Sequence, residues 1–111
     1  MDGVEVTAIR ELSRIVFGQD YRLELMLAIR TLQEEVVTLG ELAIALRVPV
    51  SSLQKPFHSL VRAGLLTPLP SDDSRRKFYG VAKSSAWDWA EELAQRVEFD
   101  AVVRGQNNNT P

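Results

Sequence analysis

Ser51, Lys55, His58 and Arg62 recur at the spacing of one helical face: at about 100° per residue they share a narrow sector, with Gln54 at its edge and Ser52 beside Ser51. Their side chains are hydroxyl, amide, imidazole, ammonium and guanidinium, all hydrogen-bond donors or cations, with no carboxylate among them. A ridge of this kind can bond base-pair edges and phosphates, and a single helix is what the major groove of duplex DNA admits. Downstream, Arg75, Arg76 and Lys77 form a second cationic cluster suited to a phosphate backbone or a minor groove. Both clusters have an ordinary alternative. A polar ridge is what any surface helix shows, and charges near a strand edge also serve to stop edge-to-edge pairing.

The ridge belongs to the second of two short helices in Thr38–Gly64, which reads as a helix-turn-helix. Thr38 followed three residues later by Glu41 is a capping-box signature, and Leu39, Leu42, Ala43 and Leu46 then recur with helical period. Pro49 marks the turn, because a proline biases its predecessor out of helical conformation. The second helix is expected to open at Ser51 or Ser52, either of which can cap it. It should bury Leu53, Phe57, Leu60 and Val61 and stop at Gly64, which suits a left-handed cap. Pro56 falls inside it, where the missing N–H and the ring cost about 3 kcal/mol in a fully helical turn but less near the helix start.

The remaining chain supplies the support. Residues 4–17 predict a first helix with Ile9, Leu12, Ile15 and Val16 on one face, ended by Gly18. Asp20 is placed to cap a second helix over 21–33, apolar around much of its circumference and therefore central. Val36 and Val37 form a short β-prone step. Leu65–Pro70, a Ser71-Asp72-Asp73-Ser74 turn and Lys77–Val81 predict a β-hairpin, splayed because Pro68 cannot donate to a ladder. Ser85 and Asp88 form a second capping-box signature before a last helix to about Val103. Trp89, Leu93, Val97 and Ala101 make one stripe of that helix and Trp87, Ala90, Ala94 and Val102 another, more apolar surface than one small core requires. The surplus points to a subunit interface built from Ile9, Leu12, Val16, Trp87, Trp89, Leu93 and Val97, hence a homodimer, although such aromatic stripes also serve simply as core. One domain over 1–104, carrying dimerisation helices at both ends, and a flexible polar tail over 105–111 complete the organisation.

Composition narrows the function classes. A chain of 111 residues builds one core, and no apolar run approaches the roughly 20 residues that cross a bilayer. An acidic N-terminal stretch without a basic and then apolar segment predicts a cytoplasmic protein, which DNA binding would make nucleoid-associated. There is no cysteine and one histidine, so a thiolate or histidine metal site is not expected, and neither is any cofactor. Without a glycine-rich phosphate loop, and with His58 lacking a carboxylate at i±4, the parts of an enzyme are missing. The net charge of −2 disfavours a nucleic-acid partner only as a sum. Arg47–Lys83 carries seven cations against two carboxylates, net plus five, while the rest of the chain is net minus seven.

The order α-α-β-α-α-β-β-α, mainly helical with a small β-hairpin, resembles winged helix-turn-helix regulators of the ArsR and MarR type. The residues that carry the likeness are VTLGELAIALRVPVSSLQKPFHSLVRAGLL for the helix-turn-helix, SDDSRRKFYG for the wing, and FGQDYRLELMLAIRTL for the preceding helix. The resemblance implies a dimeric, sequence-specific transcriptional regulator of double-stranded DNA, more often a repressor. It places Ser51, Ser52, Gln54, Lys55 and His58 towards bases and Arg75, Arg76 and Lys77 on the wing. It leaves the effector, small molecule or protein, unspecified, and the absence of cysteine departs from the thiolate sensors of the ArsR type. The rival expectation is a winged helix used for protein association without DNA, since one fold hosts both roles.

Overall fold

The computed structural model describes residues 3–72 and 75–108, with side chains over 6–72 and 75–97. Asp73 and Ser74 of the expected turn, the side chains of Ala101 and Val102, and the tail beyond residue 108 lie outside that description. The elements are α1 (Gly3–Phe17), α2 (Arg22–Leu32), β1 (Val36–Val37), α3 (Leu39–Leu46), α4 (Val50–Arg62), β2 (Leu66–Pro68), β3 (Tyr79–Val81) and α5 (Ala86–Asn108). This is the predicted order of a winged helix. The last helix outruns its expected end, so residues 105–108 are helical rather than part of a tail.

Helix α2 is the centre. Leu23, Leu25, Met26 and Ile29 are at most 2% exposed, and α1, α3, α4 and α5 all pack around them. Glu24 is also buried and receives both Nε and Nη2 of Arg10 at 2.7 and 3.1 Å, so the carboxylate enters the core with its charge paired. Asp20 does not cap α2. Its carboxylate accepts two hydrogen bonds from Arg14, at 2.8 and 3.1 Å, and the α2 amide of Leu23 is satisfied instead by the hydroxyl of fully buried Ser13, reaching over from α1 at 3.0 Å. Close packing of α1 thus supplies from a neighbouring helix the cap that local sequence assigned to Asp20. Gly18, at φ +74°, makes the corner between α1 and α2.

The sheet has order β1-β3-β2, antiparallel throughout, so the two-residue step at Val36–Val37 is a real third strand on β3. The hairpin is regular rather than splayed: Leu66, Thr67 and Pro68 face Val81, Gly80 and Tyr79 in turn. Ala82 N–H donates to the Leu65 carbonyl and Leu69 N–H to the Phe78 carbonyl, which puts odd-numbered residues of β2 at the bonded positions. The Pro68 nitrogen therefore points away from β3, and the ladder loses nothing.

The expected dimer set must be revised. Ile9, Trp87 and Leu93 are 3%, 8% and 7% exposed and belong to this chain's own core, with Leu12 and Val97 half-buried against it. The reason is that α1 and α5 both lie on α2 and spend their stripes there. What stays exposed is Ile15, on the apolar face predicted for α1, with Val16 and Trp89. At the start of α5, the Ser84 hydroxyl accepts from the Ala86 amide, while Asp88, expected in a capping box with Ser85, pairs with Arg30 at 3.1 Å.

Candidate nucleic-acid interface

Both bonds of the predicted capping box at α3 are present: Glu41 N–H to Thr38 Oγ1 at 3.1 Å and Thr38 N–H to the Glu41 carboxylate at 2.9 Å. The tight turn that follows is made by Arg47 at φ 58°, ψ 44°, a left-handed conformation that usually selects glycine. Its neighbour Val48 N–H closes the α3 end on the Ala43 carbonyl at 3.1 Å. Pro49 then sits extended as the N-cap of α4, and the helix begins at Val50 without a side-chain cap. Ser51 and Ser52, expected as caps, therefore lie inside the first turn. A proline's fixed φ suits the approach to a helix, and its missing N–H loses nothing there.

On α4 the structure separates two faces as the spacing predicts. Leu53, Phe57 and Leu60 are 0–2% exposed beneath the helix, while Ser51, Gln54, Lys55, His58 and Arg62 are exposed and Ser52 is half-buried. The first turn holds no acidic residue, so nothing on it repels a phosphate. Arg75, Arg76 and Lys77 are exposed in the loop between β2 and β3. A ring contact ties the two regions together: Phe57 of α4 meets Tyr79 of β3 edge-on, centroids 4.7 Å apart at 84°. The helix and the strand that leads out of the basic loop are thereby in direct contact. Gly64, at φ +81°, ends the helix as predicted, with Leu65 N–H returning to the Leu60 carbonyl at 2.9 Å.

Three features of this region are set by the tertiary structure. Gln19, in the α1–α2 corner, donates to Ser59 of α4 at 3.1 Å while accepting from Arg22 at 2.9 Å, a contact across 40 residues that fixes the roll of the helix. Pro56 is the seventh residue of α4, beyond the first turn, buried within a helix that is nonetheless continuous. Lys83 is counted in the basic segment but lines a groove with Ile29, Arg30 and Trp87, at the α2 and α5 side, and so does not join the ridge. Among the described residues, no group of three or more His, Asp or Glu is placed to hold a metal ion, and no helix is long and apolar enough to cross a membrane.

No protein-family profile and no curated sequence matches the chain. Solved structures do. Wild-type apo MarR from E. coli superposes with a TM-score of 0.66 at 21% identity, covering 96% of this chain and 77% of that one. MepR, a transcription regulator of the Staphylococcus aureus multidrug efflux pump MepA, gives 0.63 at 17% identity, covering 92% and 74%. A MarR variant from E. coli complexed with operator DNA gives 0.57 at 18%, covering 97% and 86%. The chain has the winged-helix fold of these MarR-type regulators. At such identities the likeness concerns architecture, and residue roles must come from the geometry of this chain.

Proposed function

We propose that this chain is a sequence-specific double-stranded DNA-binding transcription regulator that acts as a homodimer, with repression the expected mode. The observation that carries the reading is the exposed, carboxylate-free ridge Ser51–Gln54–Lys55–His58–Arg62, on a helix in direct contact with the strand that leads out of the basic loop Arg75–Lys77. The operator complex of a fold relative supports it. In this reading the ridge enters the major groove, Gln54 and Lys55 reach base edges, and the wing cations take phosphates. The dimer forms over the apolar surface that α1 and α5 leave uncovered: Ile15 at 74%, Val16 at 38% and Trp89 at 43% exposed, with Trp89 edge-on to Phe17 at 5.6 Å. Pairing there sets the two recognition helices roughly 34 Å apart on a pseudo-palindromic site.

The test is a fluorescence-anisotropy titration of duplex at about 50 and 200 mM salt, with selected and mixed sequences. Lys55→Ala is expected to cost the selected site about 1–3 kcal/mol and mixed duplex less. Arg75→Ala with Arg76→Ala is expected to weaken both alike and to lower the salt slope by about one to two. If neither variant alters affinity or salt dependence, the DNA assignment fails and the domain is a protein-association module. A monomer mass in light scattering, with and without duplex, would remove the dimer.

A further inference from the structure

The recognition helix carries one exposed apolar side chain at its very start. Val50 is the first residue of α4 and 42% exposed, immediately after the Pro49 cap and immediately before Ser51 of the ridge. Position i+4 from it is Gln54, so the two share a flank of the helix. Side chains of a helix lean towards its N-terminus, and those of the first turn therefore project past the end of the helix. An isopropyl group is a poor choice for a solvated first turn, where the macrodipole favours an acid and branching at Cβ lowers helix propensity. The first turn has no acid at all.

We propose, resting on the DNA reading above, that Val50 is a specificity-determining residue that reads the C5-methyl group of a thymine in the major groove. That methyl is the one apolar group that base pairs present there, and a helix docked by its N-terminal end brings its first residue to the groove floor. Gln54 on the same flank complements it, because a carboxamide pairs with both N6 and N7 of adenine. The two side chains together select a T·A step beneath the start of the helix. The neighbouring cations are compatible, since Lys55 and Arg62 lie round the helix from Val50 and leave the methyl contact dry of charge.

Deoxyuridine separates this contact from every other, because it differs from thymidine only by the methyl and keeps the hydrogen-bonding edge. Sites are first selected from random duplex with the full chain, and each thymidine is then replaced singly by deoxyuridine and titrated by anisotropy. One replacement per half-site is expected to weaken binding about fourfold, the worth of one buried methyl-sized group. Val50→Ala, which removes the contact from both half-sites of the dimer, should bind the thymidine site as weakly as the wild type binds a site with deoxyuridine in both half-sites, and should be indifferent to the replacement. Thermal melting verifies that this exposed-site variant stays folded. Binding that is insensitive to deoxyuridine at every position overturns the methyl contact while leaving the DNA reading intact. A deoxyuridine effect that persists in Val50→Ala assigns the methyl to another side chain and overturns the role of Val50. Failure to bind any duplex at low salt instead overturns the reading on which the inference rests.

Discussion

Pro56→Ala sets two opposed terms against each other inside the recognition helix. Pro56 is the seventh residue of α4, so the Ser52 carbonyl four residues earlier has no N–H to accept from, and the ring crowds it. The Ser59 hydroxyl meanwhile bonds the Lys55 carbonyl at 3.0 Å, a further disturbance of the same turn. Proline costs a helix interior about 3 kcal/mol relative to alanine. Against this, Pro56 is buried, and the change removes two ring methylenes at about 0.8 kcal/mol each. The difference leaves Pro56→Ala more stable by about 1.4 kcal/mol, or a rise of roughly 5–10 °C in Tm for a domain of this size.

The functional outcome should run the other way. Gln54 and Lys55 directly precede Pro56, and restoring the regular turn re-aims both. Affinity for a selected duplex should fall several-fold while mixed duplex is bound nearly unchanged. Urea unfolding at unchanged m-value measures the first effect, and anisotropy measures the second. A loss of stability greater than about 1 kcal/mol would mean that ring burial outweighs the helix term, and the reasoning fails. A gain in stability with specificity intact would show that the proline does not set the direction of the ridge.

Three further outcomes follow from the scaffold. Arg47→Gly relieves a left-handed φ of 58° and should raise stability by about 0.5–1 kcal/mol in urea unfolding. Arg10 and Glu24 should respond asymmetrically, because the Glu24 side chain is 5% exposed and that of Arg10 31%: Arg10→Met strands a buried carboxylate and costs about 3 kcal/mol, whereas Glu24→Met leaves a guanidinium that can turn to water and costs about half as much. Arg14 holds the Asp20 carboxyl below the ordinary range by hydrogen bonding, so the pair's contribution is complete at neutral pH and is lost as pH falls through the depressed value. Stability curves of wild type and Arg14→Ala should therefore differ at pH 7 and converge as the pH falls through the depressed Asp20 value, as followed by circular dichroism.

How far the sequence foretold this structure depends on the reach of each interaction. The Thr38–Glu41 box, the apolar period of α4 and the Gly64 cap were readable because each depends only on residues within the same short stretch of chain, and all three are present. The Asp20 cap failed because Ser13 of α1 reaches Leu23 N–H across ten residues, and Arg14 draws off the carboxylate. Pro68 misled in another way. Whether a proline breaks a ladder depends on which alternate residues are bonded, and that phase is fixed by the partner strand. The apolar stripes of α1 and α5 were visible, but only their docking on α2 tells core residues Ile9, Trp87 and Leu93 from the exposed Ile15, Val16 and Trp89.

The same distinction governs the site. Ridge and wing residues were legible as clusters of donors and cations, since such clusters need no tertiary partner to be recognised, and all nine residues are exposed or half-buried. What aims them was hidden. The helical period marks Phe57 as core, yet Phe57 also meets Tyr79 of β3, and Gln19, which belongs to no sequence motif, donates its amide to Ser59. Val50 is the opposite case, because an apolar group at a helix start carries information only once its exposure is known. Specificity in such a face rests on a few side chains whose direction is set by residues elsewhere in the chain. Substitution of Gln19, which lies off the ridge and bonds Ser59 of α4, should therefore blur sequence preference in the anisotropy titration without reducing the phosphate-dependent part of binding.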